Sequence, residues 1–145
     1  MLDGDVERLY ARLGLPFRSR YTPIVKALIL RESATIKELA AIVGLTHSAV
    51  SQTLLQMARD GLVNATPGAD GRERVMRLTP AAKALLPQVF ACWDAVNGAA
   101  EDLSEEIGIP LDEACRRAIA ALSETSFEAR AEARLTALGK PLPSR

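Results

Sequence analysis

Apolar residues recur at helical spacing through most of the chain, and the rhythm shortens to strand-like runs only between Leu62 and Leu78. Val6, Leu9, Tyr10 and Leu13 mark a first helix over 5–13, ended by Pro16. A second helix is expected from Thr22 to Arg31, where Pro23 suits the first turn and Ile24, Ala27, Leu28 and Leu30 supply an apolar face. Thr35 can cap a third helix, with Glu38 three residues on as its capping-box partner. Gly44 then stands where the backbone must reverse, and Thr46 can cap a fourth helix that carries Val50, Leu54, Met57 and Ala58 until Gly61 stops it. Leu39, Ala40, Val43, Leu45 and Val50 put apolar or small side chains where two short crossed helices must touch, so this stretch reads as a helix-turn-helix.

Gly61 is followed by Leu62 and Val63, a turn-forming stretch from Pro67 to Arg72, and then Val75, Met76 and Leu78. Two short strands joined by a flexible tip fit this pattern, which places a hairpin wing directly behind the helix-turn-helix. Thr79 and Pro80 signal another helix start, and Ala81, Leu85, Val89, Cys92, Trp93 and Val96 continue at helical spacing to about Ala100. Pro87 is expected to bend that helix. A short helical turn around Glu101 to Ile107 and a last helix over 110–138, with Leu111, Cys115, Ile119, Leu122, Phe127, Leu135 and Leu138, complete the chain. The stripes of both end segments lack an evident cover within one small chain, and a second copy would supply it. The expected fold is mainly α with a small β-hairpin wing (α+β), in one domain. Dimerisation helices occupy 1–20 and 80–139, a winged helix-turn-helix core occupies 21–79, and a flexible tail occupies 140–145.

At about 100° per residue, Val50, Leu54 and Met57 share one face of the fourth helix, while Ser48, Ser51, Gln52, Leu55 and Arg59 share the other. The second face is the one free to enter a DNA groove. Ser and Gln can bond base edges, Gln with a preference for adenine, and Arg59 near the helix end can reach a phosphate. Leu55 is either a tolerated exposed side chain or a contact for a thymine methyl group. Thr46 and His47 stand at the helix start, where His47 can meet a phosphate or a base edge or lie simply exposed. Arg72 and Arg74 flank the hairpin tip, where long cations can enter a minor groove or sit on the backbone, and Glu73 between them should point elsewhere.

These residues resemble the MarR family of winged-helix transcription regulators, from Thr35 to Pro87 and more loosely over most of the chain. The resemblance rests on a combined pattern: Leu39-Ala40, Gly44-Leu45-Thr46, Val50-Ser51, Gly61-Leu62-Val63, Asp70-x-Arg72 and Leu78-Thr79-Pro80. It implies a homodimer that binds palindromic double-stranded DNA through the second motif helix and the wing, in many members under the control of a small-molecule effector or oxidation. It also implies an effector pocket where the dimerisation helices meet the winged helix; Tyr10, Phe17, Tyr21 and Trp93 are candidates to line it, and equally suit a core. The chain departs from the family in two places. Asn64, Ala65 and Thr66 stand where a basic residue is common, and Cys92 and Cys115 both lie far from the N-terminal position of the peroxide-sensing branch.

With 18 Lys and Arg against 18 Asp and Glu, the chain does not coat nucleic acid by bulk attraction. Basic against acidic residues number 7 to 5 over 1–45, 4 to 3 over 46–79 and 7 to 10 over 80–145, so the basic side is N-terminal. Arg18, Arg20, Lys26 and Arg31 either touch phosphates or form a solvated helix surface. His47 is the sole histidine, so neither a Ser-His-Asp site nor a metal site can draw on a second imidazole. No catalytic residue, metal or cofactor is assigned, and an enzyme is not expected. Cys92 and Cys115 read first as small core residues, with a redox switch helped by Arg116 and Arg117, or an intersubunit disulfide, as the alternatives. The charged N-terminus argues against a secretory signal, and no apolar run approaches the roughly 20 residues of a membrane span, so a soluble cytoplasmic protein is expected. The expected function is a sequence-specific double-stranded DNA-binding regulator, a homodimeric repressor on an inverted repeat with a small-molecule effector; the alternative is a winged-helix protein-interaction module with little DNA affinity.

Overall fold

A computed structural model of the chain describes residues 2–67 and 74–140. Two compact units divide it, Met1–Val96 and Asn97–Arg145. The first holds α1 (Leu2–Arg12), a 3-10 turn (Ser19–Tyr21), α2 (Thr22–Arg31), β1 (Ala34–Thr35), α3 (Ile36–Val43), α4 (His47–Arg59), β2 (Val63–Pro67), β3 (Arg74–Leu78) and the start of α5 (Pro80–Ile107). The expected tip of the wing, with Asp70, Gly71 and Arg72, lies outside the described residues.

Local chemistry sets the ends of α3 and α4. Thr35 is extended, its hydroxyl accepts the Glu38 N–H at 3.2 Å, and its own N–H donates to the Glu38 carboxylate at 2.7 Å, which completes the expected capping box. Gly44 closes α3 in the left-handed region at φ +69°, a conformation that costs a side chain dearly and glycine little. The chain then turns at once into the Thr46 cap of α4, whose hydroxyl accepts the Ala49 N–H at 3.2 Å. At the far end of α4, Gly61 takes φ +74° and the Leu62 N–H reaches back to the Met57 carbonyl at 2.8 Å.

The core lies between these helices and the sheet. Tyr21, Leu39, Val50 and Met57 have no measurable exposure, and Ile24, Val25, Leu28, Leu54, Leu62, Val63 and Val89 are buried around them. Tyr10 is also buried, so part of the apolar stripe of α1 is covered by its own chain. Thr79 fixes the start of α5: its hydroxyl donates to the Gly61 carbonyl at 2.7 Å and accepts the Ala82 N–H at 3.0 Å.

The sheet has three antiparallel strands in the order β1-β3-β2, where the sequence pattern indicated two. β2 and β3 pair from Val63 opposite Leu78 to Pro67 opposite Arg74, and β1 adds Ala34 opposite Met76 and Thr35 opposite Val75. A two-residue strand has no periodicity to read, and its partner is some 40 residues away in the sequence. α5 also differs from expectation, since it runs unbroken to Ile107 and absorbs the turn expected around Glu101. Pro87 lies inside it, where the missing N–H leaves the Lys83 carbonyl without its usual helical donor.

The second unit contains the end of α5, α6 (Leu111–Glu124) and α7 (Phe127–Ala137). The single helix expected over 110–138 is therefore two. Thr125 and Ser126 leave helical geometry, and the Ser126 hydroxyl caps α7 by accepting the Ala129 N–H at 3.1 Å. Arg130 secures the corner by donating to the carbonyls of Ala121 at 2.7 Å and Thr125 at 3.0 Å. No described residue of this unit is buried, and Ile119, Leu122, Phe127 and Leu138 stay exposed. Cys92 is buried as expected, and burial pushes its thiol pKa up, whereas Cys115 is exposed. The two arginines beside Cys115 face carboxylates instead: Arg116 pairs with Asp112 at 2.9 Å, and Arg117 pairs with Glu113. Among the described residues no helix is long and apolar enough to cross a membrane.

Two measurements check this account. Leu54→Ala should lower the unfolding free energy by about 2–5 kcal/mol in urea melts, and Leu55→Ala, one residue on but exposed, by less than about 0.5 kcal/mol. The Glu38 carboxyl should titrate below the ordinary glutamate range, because the Thr35 N–H and hydroxyl bond its charged form. Its lowered pKa means that this support is present above the usual carboxylate range and is lost as pH falls through the folded value. Carbon-13 NMR should show the low midpoint in the native chain and a return toward the ordinary value in Thr35→Ala.

Candidate nucleic-acid interface

α4 has two unlike sides. Val50, Leu54 and Met57 are at most 2% exposed, so the helix cannot rotate without exposing its anchor. The opposite side faces outward. His47, Ser48, Gln52, Leu55 and Arg59 are exposed, as the helical period predicts, whereas Ser51, expected on the same free face, is half-buried. Thr46 is exposed too, but its hydroxyl is occupied as the cap.

Polar side chains on this helix divide into tied and free ones. The Thr53 hydroxyl donates to the Ala49 carbonyl at 2.9 Å, and the Gln56 amide donates to Asp60 at 3.0 Å. Among the described residues, the side chains of Ser48, Ser51 and Gln52 have no such partner, nor does Arg59 form an ion pair. Their donors and acceptors are thus open to an incoming partner. Leu55, 56% exposed, adds an apolar spot between them, and Ile42 and Leu45 are also exposed.

Asp60 fixes the base of α4. Its carboxylate accepts the Tyr21 hydroxyl at 2.6 Å, and burial together with that bond pushes the Tyr21 pKa up. Arg18 approaches the same carboxylate only to 4.0 Å and is half exposed, a pairing of little energetic weight. Sequence reasoning missed Asp60, because its role depends on Tyr21 nearly 40 residues earlier.

Arg74 opens β3 and is exposed. By strand alternation it shares a face with buried Met76 and Leu78, so it stands at the open end of the sheet's inner side. There it lines a groove of about 280 Å³ with Thr35, Ile36, Lys37 and His47. Lys37 was not among the residues singled out from the sequence; the pairing of β1 with β3 brings it there. Arg72 lies outside the described residues.

The aromatic residues considered for an effector pocket pack on one another. Phe17 meets Tyr10 at 5.1 Å, Tyr21 at 5.8 Å and Trp93 at 6.1 Å between ring centres, and the Trp93 N–H donates to the Tyr10 hydroxyl at 3.1 Å. Lys26 lies over the Trp93 ring and Arg20 over the Tyr21 ring, so these two cations cover aromatic faces. The enclosed space beside Phe17 and Val89 is about 10 Å³, which admits at most one water.

The sequence profile described as "Bacterial regulatory protein, arsR family" matches residues 23–65, the span from α2 into β2. No curated protein sequence matches the chain. Among solved structures, the chain is similar to the M. tuberculosis transcriptional regulator MOSR in complex with DNA, at 26% identity and a TM-score of 0.67, over 89% of this chain and 90% of that one. It is similar in fold to a MarR family transcriptional regulator from Silicibacter pomeroyi, at 23% identity and a TM-score of 0.58, over 83% and 86% of the two chains. A third relative in fold is the transcriptional repressor CouR bound to a 23-mer DNA duplex, at 16% identity and a TM-score of 0.65, over 84% of each chain. The capped helix pair, its left-handed glycine reversal and the strands behind it thus belong to a winged-helix fold, which the chain shares with solved MarR family regulators.

Proposed function

We propose that this chain is a sequence-specific double-stranded DNA-binding transcription regulator that acts as a homodimeric repressor on an inverted repeat. The observation that carries the reading is the two-sided character of α4. Its apolar side is locked into the core, while Ser48, Ser51, Gln52 and Arg59 are presented together without partners in the described protein. Such a face offers what a major groove requires, hydroxyl and amide groups for base edges and a terminal cation for a phosphate. Similarity to MOSR, which was solved on DNA, supports the same reading.

The exposed apolar residues of α6 and α7 support self-association. Ile119 and Leu122 share a face of α6 and Phe127 begins α7, all in water in the single chain. A twofold dimer formed by covering them presents two copies of α4, and an inverted repeat with half-sites about 34–36 Å apart is the matching target. The regions 1–20 and 80–139 are assigned to dimerisation on this reading, and 21–79 to DNA.

A second reading has its own support. Asn64, Ala65 and Thr66 leave the strand after α4 without a cation, and Ile42, Leu45 and Leu55 expose apolar surface near the reader face. A protein-interaction module with little DNA affinity would look like this. Selection of bound fragments from random duplexes, followed by a salt titration of the winner, separates the two. A regulator yields an inverted repeat and a negative slope of log affinity against log salt, whereas an interaction module yields neither. Gln52→Ala should then relax discrimination at one base position of each half-site, by about 1–3 kcal/mol, with little change in affinity for unrelated duplexes. Equal losses on all sequences would remove Gln52 from the reading face.

A further inference from the structure

Three elements deliver the lining of the groove beside Arg74. Lys37 comes from the first turn of α3, His47 is the first residue of α4, and Arg74 is the first residue of β3. The pairing of Thr35 with Val75 makes this meeting obligatory, since it docks the start of α3 against the start of β3. Among the described residues no carboxylate lines the groove. The nearest acidic residue along α3, Glu38, is bonded to the N–H and hydroxyl of Thr35. Among the described residues neither Lys37 nor Arg74 forms an ion pair.

We infer that this groove seats a phosphate of the DNA backbone, held by the Lys37 ammonium and the Arg74 guanidinium with the His47 ring as a further donor. The inference rests on the DNA-binding reading and assigns Arg74 a backbone role in place of the minor-groove entry open to it from the sequence. A space of about 280 Å³ admits a phosphate with its first waters. Two cations delivered to one groove by separate elements, α3 and β3, suit a tetrahedral anion with several acceptor oxygens. Backbone contact of this kind positions α4 along the groove without reading sequence.

The test uses the full chain with its selected duplex, a scrambled duplex and inorganic phosphate as separate probes. Lys37→Gln and Arg74→Gln are compared with Lys140→Gln, which alters an exposed cation in the other unit. Each groove variant removes one phosphate contact per subunit, so in the dimer it should reduce the magnitude of the salt slope by about 1.8 and weaken selected and scrambled duplexes by the same factor, while Lys140→Gln changes neither. Unchanged melting temperatures show that the variants fold. Unaltered slopes, or a loss confined to the selected duplex, would overturn the backbone assignment while leaving the regulator reading intact. Failure of the unmodified chain to bind any duplex would instead remove the DNA reading and this inference with it. Amide shifts at Lys37, His47 and Arg74 on adding inorganic phosphate, without any slope change in the variants, would mark a site for free phosphate and equally overturn a backbone seat.

Discussion

The burial of one face of α4 is the constraint on which the described architecture depends. Val50, Leu54 and Met57 are sealed against Leu39, Tyr21 and the inner side of the sheet. Each such side chain contributes about 1.5–3 kcal/mol by leaving water, more than the roughly 1 kcal/mol net of any single hydrogen bond around it. Rotation of α4 would forfeit several of these at once. The polar side is therefore held outward because the apolar side has nowhere else to go, and pre-orientation of Ser48 and Gln52 comes as a consequence of core packing.

Capping refines what packing anchors. Thr35, Gly44, Thr46 and Gly61 fix where α3 and α4 begin and end, so the short turn between the helices has little freedom. Asp60 then ties the end of α4 to Tyr21, and Thr79 ties the following turn to α5. These bonds are individually modest. Together they tie the segment that ends α4 to the turn before α2 and to the start of α5.

Electrostatics in this chain is local. Equal numbers of acidic and basic residues leave no net charge to draw a polyanion, yet the groove beside His47 brings the cations Lys37 and Arg74 together where, among the described residues, no carboxylate intrudes. Several other basic residues are engaged: Arg20 and Lys26 lie on aromatic rings, and Arg116 and Arg117 face carboxylates one turn back. Charge available to a partner is thus decided by which cations remain unengaged.

Local signals made much of this legible in advance. The span of α2, the capping box of α3, the left-handed Gly44, the Thr46 cap and the division of α4 into inner and outer faces all follow from residues within a few positions of each other. A Thr-x-x-Glu pair or a helical stripe carries its own physical reason wherever it occurs. The break at Ser126 was also local, a capping residue overridden by the apparent continuity of the apolar stripe. What tertiary structure alone decided was non-local: the pairing of β1 with β3, the bond from Tyr21 to Asp60, the mutual packing of Phe17, Tyr10 and Trp93, and the exposure of Cys115. Lys37 joins Arg74 for the same reason. Contacts between residues tens of positions apart depend on how the chain closes on itself, and side-chain periodicity carries no record of that closure.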